Sequence, residues 1–196
     1  MKTAPPQRAQ DRGFRRPVLV LNPRSGSVQV VRDRLLETAG RAQAGRVAGY
    51  HGAMTDAELR ELLRQTRTIA VVGLSANPER PSNQVAWYLH HQGYRLFGVN
   101  PRCPSPEVFG VRVLPSLDEL PEPVDIVDVF RRPEYTPAVA REAVAVGARA
   151  LWLQLGIRSA EARTVAEAGG LVYVEDRCLK VDHARLLGRR IGDAGG

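Results

Sequence analysis

At 196 residues, with 43% hydrophobic side chains, the chain is long enough for one domain with a substantial core and leaves little room for a second catalytic domain. No run approaches the roughly 18 uninterrupted apolar residues of a membrane span, and the basic amino-terminal stretch lacks the apolar core of a secretory signal, so a cytoplasmic protein without a membrane partner is expected. The net charge of +7 does not argue for nucleic acid: residues 1–53 carry 10 Lys or Arg against 3 Asp or Glu, while residues 54–196 carry 18 of each. The excess is a solvated tail, and no nucleic-acid partner is expected.

Residues 1–17 mix Pro, Gln, Arg and Gly without periodicity and read as disordered. Val18 to Leu21 is a short apolar run and Val30 to Thr38 suits a short helix, but nothing nearby completes a sheet. Asn22-Pro23-Arg24-Ser25-Gly26 resembles the opening motif of diacylglycerol-kinase-type lipid kinases; the glycine- and aspartate-rich phosphate motif that should follow is missing, and that reading is set aside. The character changes at Met54. Thr55-Asp56-Ala57-Glu58 is a capping box, followed by the apolar stripe Leu59, Leu62 and Leu63. Residues 54–196 therefore form the expected domain, and residues 1–53 a basic extension that is disordered or misassigned, with Met54 as the natural start. A native peptide from residues 18–50, found by mass spectrometry, would end that idea.

From Met54 onward strands and helices alternate. Ile69 to Gly73 reads as strand one, Ser82 to Gln92 as a helix and Tyr94 to Val99 as strand two. Val111 to Leu114 is a short strand and Ser116 to Leu120 a brief helix. Val124 to Phe130 is strand three and Pro133 to Val146 a helix. Arg149 to Gln154 is strand four, Ser159 to Ala168 a helix and Leu171 to Val174 strand five. Continuous apolar strands separated by amphipathic helices mean a parallel sheet covered on both faces. The expected fold class is α/β, a Rossmann-like doubly wound parallel sheet of about five strands.

In such a sheet ligands bind beyond the carboxyl ends of the strands. Those ends read Gly73-Leu74-Ser75, Asn100-Pro101-Arg102, Phe130-Arg131-Arg132, Gln154-Leu155-Gly156-Ile157 and Glu175-Asp176-Arg177-Cys178. The first loop runs through Gly, Ser and Pro to Arg80 and then into a helix opened by Ser82 and Asn83, an arrangement that offers backbone N–H groups and positive dipole to a phosphate. Ser82 is expected to cap that helix, and Asn83 to cap it or touch the ligand. The loop lacks the G-x-G-x-x-G fingerprint, and strand two ends on Asn100 where a classical NAD site places an acid. An Asn-Pro pair beside Arg102 tolerates a phosphorylated ribose that a carboxylate would repel. Arg80, Arg131 and Arg132 are candidates for charge-assisted bonds to phosphate.

Over residues 54–187 the sequence resembles the small CoA-binding protein family, single Rossmann-like domains related to the CoA-binding domain of succinyl-CoA synthetase alpha subunits. The resemblance rests on Val72-Gly73-Leu74-Ser75, Pro78-Glu79-Arg80-Pro81-Ser82-Asn83-Gln84-Val85, Gly93-Tyr94, Val99-Asn100-Pro101, Val124 to Arg131, Leu151 to Ile157 and Asp176 to His183. It implies coenzyme A or acyl-CoA along the strand ends, with diphosphate at the first loop and adenine near strands two and three. The residues expected to bind are Gly73, Leu74, Ser75, Arg80, Ser82, Asn83, Asn100, Pro101, Phe130, Arg131, Arg132, Gln154 and Gly156. Residues 1–53 lie outside the resemblance.

Catalysis is a separate question. The phosphorylated histidine of succinyl-CoA synthetases rides on another domain, so the expected role is non-catalytic binding, as a sensor or carrier. An alternative is an enzyme acting on a CoA thioester through Cys178 and His183 with Asp176 as orienter. An NAD-type oxidoreductase is the third reading, disfavoured by Asn100. Cys103 and Cys178 form no CxxC or metal cluster and read as reduced thiols. One of His90 and His91 should face solvent. Trp87, Tyr88 and Trp152 read as core or interface residues, and an exposed Trp87/Tyr88 face would suit a homodimer.

Overall fold

The structure, a computed structural model, describes Val18–Leu21, Val28–Val31 and residues 54–188. The chain divides into two compact units, Met1–Ala48 and Gly49–Gly196. In the first, β1 (Val18–Leu21) pairs antiparallel with β2 (Val28–Val31), with Val18 opposite Val31 and Leu21 opposite Val28. This corrects the helix expected from Val30: Val30 and Val31 close a hairpin, as suits β-branched residues. The remainder of that helix, the disorder expected over residues 1–17 and the Asn22–Gly26 motif lie outside the described residues.

In the second unit Thr55 caps α1 (Asp56–Gln65) through the reciprocal bonds of a capping box: Glu58 N–H donates to Thr55 Oγ1 at 3.3 Å and Thr55 N–H donates to Glu58 Oε2 at 2.8 Å. There follow β3 (Thr68–Val72), α2 (Pro81–His91), β4 (Arg95–Val99), β5 (Glu107–Val108), β6 (Val111–Leu114) and β7 (Ile126–Val129). After them come α3 (Thr136–Ala145), β8 (Ala150–Leu153), α4 (Ala160–Ala168), β9 (Val172–Val174) and α5 (Leu179–Leu187). The brief helix near Ser116 is one 3₁₀ turn, Leu117–Glu119, and a second 3₁₀ turn, Pro133–Tyr135, precedes α3.

The sheet has seven strands rather than about five, in the order β5-β6-β4-β3-β7-β8-β9. Every pairing is parallel except β5 with β6. Without β5, the strands in chain order run 3-2-1-4-5-6 across the sheet, the doubly wound Rossmann arrangement, whose strand order reverses between β3 and β7.

Side-chain alternation along each strand builds two cores. Ile69, Val71, Ile126 and Trp152 pack under α1, α2 and α5, while Ala70, Val127, Val129 and Leu153 pack under α3 and α4. Trp152 is fully buried and donates from Nε1 to the Arg177 carbonyl at 2.7 Å. Burial of a side chain that size contributes roughly 5 kcal/mol of transfer free energy, and the hydrogen bond removes the cost of burying its N–H. Asp125 ties the opposite ends of the strands, accepting from Arg67 N–H at 2.7 Å, Thr68 N–H at 3.0 Å and Thr68 Oγ1 at 3.2 Å. Partial burial opposes its charge, yet those bonds and nearby Arg149 hold its carboxyl below the usual aspartate value. Among the described residues no helix is long and apolar enough to cross a membrane.

Candidate functional site

At the switch point Gly73, the residue after β3, has φ +92°, and a Cβ there would sit 3.1 Å from the carbonyl oxygen of Phe130, the residue after β7. Only glycine meets both demands, the left-handed backbone and the close approach of two strand ends. The loop that follows is tied down at several points. Asn100 donates from Nδ2 to the Leu74 carbonyl at 2.8 Å, Asn83 from Nδ2 to the Ser75 carbonyl at 2.9 Å, and Ser75 N–H to Ser82 Oγ at 3.2 Å.

This corrects the role expected of Ser82. The cap position of α2 is Arg80, Pro81 occupies the first turn, and the Ser82 hydroxyl is turned to the loop. Among the described residues no side chain caps α2, in contrast to α1 and to α4, where Ser159 Oγ accepts from Ala162 N–H. The amino end of α5 is likewise uncapped, with Cys178 at its cap position. Two helices thus bring amino ends without a side-chain cap to one place.

Between them lies a cavity of about 520 Å³, lined by Gly73, Ser75, Arg80, Ser82, Phe130 and Gln154 from the expected set. Pro81, Val85, Leu155, Ile157 and Cys178 complete its wall. Leu155 is 71% exposed at the rim. Arg80 is exposed and makes no side-chain hydrogen bond or ion pair among the described residues, so its guanidinium is available to an anion.

The other expected residues stand outside this lining. Leu74 is fully buried, with Cδ2 only 2.6 Å from where a Cβ on Gly98 would be, so it is a core contact. Asn83 and Asn100 act as straps for the loop, and Asn100 Oδ1 also accepts from Arg102 N–H at 3.0 Å. Pro101 is exposed beyond the strap. The Arg131 stem lies against Gly73 and its guanidinium over the Tyr135 ring at 5.3 Å, on the shoulder of the site. Arg132 is exposed beside Glu134 at 3.9 Å. Gly156 N–H donates to Asp176 Oδ1 at 2.7 Å.

The trio Cys178, His183 and Asp176 is not assembled. Cys178 lines the 520 Å³ cavity, whereas His183 is buried with Nδ1 3.0 Å from Tyr88 Oη and lines a different one. Asp176 pairs with the Gly156 N–H and Arg158, which hold its carboxyl below the usual range. Tyr88 is buried, so the aromatic face expected for a homodimer reduces to Trp87, which is 51% exposed; both His90 and His91 are exposed.

That second cavity is larger, about 720 Å³, and Arg60, Arg64 and Arg67 line it. It sits where α1, α2 and α5 end, so three helix carboxyl termini turn partial negative charge toward it. Two of its three arginines and a tyrosine serve those carbonyls: Arg60 Nε donates to Leu186 O at 3.2 Å, Arg67 Nη1 to Arg64 O at 3.0 Å and Tyr94 Oη to Leu63 O at 3.2 Å. Size and arginine count favour this cavity for a phosphate ligand; the field and the committed donors favour the smaller one. The field decides, because it acts on every anion that enters.

The family model for the CoA binding domain matches residues 67–184. A curated relative, the uncharacterized protein YneT of Bacillus subtilis (strain 168), is 41% identical over 128 residues, covering 65% of this chain and 93% of that protein. The structure of cell-free ID.343 from Thermus thermophilus is 46% identical, covering 68% of this chain and 99% of that one, with a TM-score of 0.65. A hypothetical protein from Pyrococcus horikoshii OT3 is 38% identical, covering 69% of this chain and 94% of that one, with a TM-score of 0.66.

Proposed function

The chain belongs to the CoA-binding domain family, and from that premise we propose that residues 54–196 bind coenzyme A or an acyl-CoA in the 520 Å³ cavity, without chemistry of their own, as a carrier or sensor of the cofactor. The observation that carries this reading is the meeting of two uncapped helix amino ends and Arg80 at the switch point. Diphosphate belongs at Arg80 and the start of α2, where the unpaired guanidinium and the helix dipole favour it. The pantetheine arm suits the apolar wall of Val85, Leu155 and Ile157. Adenine belongs near the ends of β4 and β7, with Arg102 and Arg131 in reach of a ribose phosphate.

A non-catalytic role is supported by the separation of Cys178 from His183, which leaves the thiol without that base. An NAD role is disfavoured by Asn100, whose side chain is spent on Leu74 O and Arg102 N–H where a dinucleotide site needs an acid for the ribose diol. A thermal-shift panel of CoA, dephospho-CoA, acetyl-CoA, NAD and ADP on the full chain tests the reading. CoA at about a hundred times its dissociation constant should add about 2.7 kcal/mol of stability. Stabilisation by NAD with no response to CoA would overturn it.

A further inference from the structure

Asp128 lies in the middle of β7, and strand alternation puts its side chain on the face that also holds Ile126, opposite Val127 and Val129. It is fully buried, a rare place for a carboxyl group. Its sheet neighbours in register are Val71 and Trp152, both apolar. Oδ1 accepts from Gln154 Nε2 at 2.7 Å, while Oδ2 has no partner among the described residues. Gln154 is itself buried and lines the 520 Å³ cavity. One side-chain amide therefore links a buried, half-satisfied carboxyl to the proposed ligand.

We propose that Asp128 is a positioning residue of this site: acting through the Gln154 amide, it takes up a proton as the cavity fills, so that affinity for CoA falls as pH rises. The inference rests on the CoA reading of the cavity. An ionised Asp128 holds one Nε2 hydrogen and so fixes the amide with Oε1 and the second Nε2 hydrogen turned elsewhere. A protonated one can donate to Oε1 instead and release Nε2 toward a ligand carbonyl or phosphate oxygen. Filling the cavity removes water above Gln154 and brings the negative charge of the cofactor closer; both disfavour the carboxylate. Proton uptake on binding follows from either effect.

The carboxyl already titrates in the right range, because burial pushes it from 3.8 to about 7 against the lowering influence of the Gln154 amide and the nearby Val129 N–H dipole. On α2 and α5, the helices that flank the cavity, and at their caps the ionisable groups are Arg80, Tyr88, His90, His91, Cys178, Lys180, Asp182, His183 and Arg185. Asp182 is paired with Arg177 and Arg185, and Tyr88 with His183. None of them acts on Asp128 as a charge, so its titration reports the local solvent and Gln154.

The test is a carbon-13 titration of the Asp128 carboxyl in the full-length protein, with and without saturating CoA, joined to calorimetric CoA affinities for wild type and Asp128→Asn. The midpoint should rise by about one pH unit with CoA bound, and the loss of affinity from about pH 6 to about pH 8.5 should be about tenfold greater in wild type than in the variant. Comparing the two proteins cancels the titration of the cofactor's own phosphates. Coincident midpoints, or the same pH profile in both proteins, would overturn the inference while leaving the CoA reading intact. Failure of CoA to bind at either pH would sink the reading of the cavity, and this inference with it. Should Asp128→Asn not fold, the wild-type titration decides alone.

Discussion

The two ends of the same sheet each carry a cavity and arginines, yet they differ in what those arginines face. At the carboxyl ends of the strands α2 and α5 begin, uncapped, and Arg80 is unspent; at the other end α1, α2 and α5 finish, and Arg60 and Arg67 are bonded to backbone carbonyls. A positive side chain marks an anion site only where the backbone around it leaves the charge unanswered. Volume and arginine count point to the end where α1, α2 and α5 finish. Helix polarity points to the other.

The comparison can be broken most severely at Gly73. Gly73→Val forces a β-branched side chain into φ +92° and against Phe130 O, and should cost roughly 2–4 kcal/mol of stability while abolishing CoA binding at concentrations that saturate wild type. Denaturant melts and calorimetry read both effects; a stable variant with normal affinity would contradict the close approach of the two strand ends. The opposite end should respond in stability alone. Asp125→Ala removes the acceptor for Arg67 N–H and Thr68 N–H, an expected loss of roughly 2 kcal/mol at neutral pH with no change in CoA affinity. Because the folded Asp125 carboxyl titrates below its unfolded value, this contribution is present above about pH 4 and fades as pH falls through the lower folded value, so melts of wild type and variant should converge in acid.

Smaller effects sharpen the contrast. Arg80→Ala should weaken CoA about 20-fold, on the order of 2 kcal/mol, with the unliganded melting temperature unchanged. A fall in unliganded stability would mark Arg80 as structural. Arg131→Ala, on the shoulder of the site, should weaken CoA about threefold. Arg64→Ala, at the larger cavity, should alter CoA affinity less than about twofold, and a larger effect would move the site to that end.

The apolar runs between amphipathic helices make the parallel sheet legible, because strands buried on both faces need continuous hydrophobicity, whereas the strand order and its reversal point emerge only from the pairing. Two elements escaped. β5 is two residues long and antiparallel, with one exposed glutamate, too short to show a period. The buried face of α5 is Leu179, Asp182, His183 and Leu186, so helical spacing is present but two polar side chains stand where apolar ones are sought, and Val181 is exposed. His183, with Cys178 and Asp176, reads in sequence as a catalytic trio, yet the helix and its cap direct the imidazole and the thiol to two different cavities.

Within the site, the strand-end glycine and Arg80 could be read because backbone and charge leave a local mark. The straps Asn83 and Asn100 and the hydroxyl of Ser82 read in sequence as ligand contacts or caps, since their loop partners lie seven to 26 residues away. Val85, Leu155 and Ile157 carried no local signal, as an apolar residue beside a strand reads as core. Gly73, Phe130 and Gln154 come from three different strand ends, and only the sheet order β3-β7-β8 brings them onto one wall.

Backbone amide shifts on titration with CoA test the choice of sheet end most directly. The account predicts changes concentrated at Gly73 to Ser82, Gln154 to Ile157 and the start of α5, with Gln92, Gly93, Tyr94 and Leu187 undisturbed. Changes concentrated at Gly93, Tyr94 and Leu187, or no response to millimolar CoA, would contradict it.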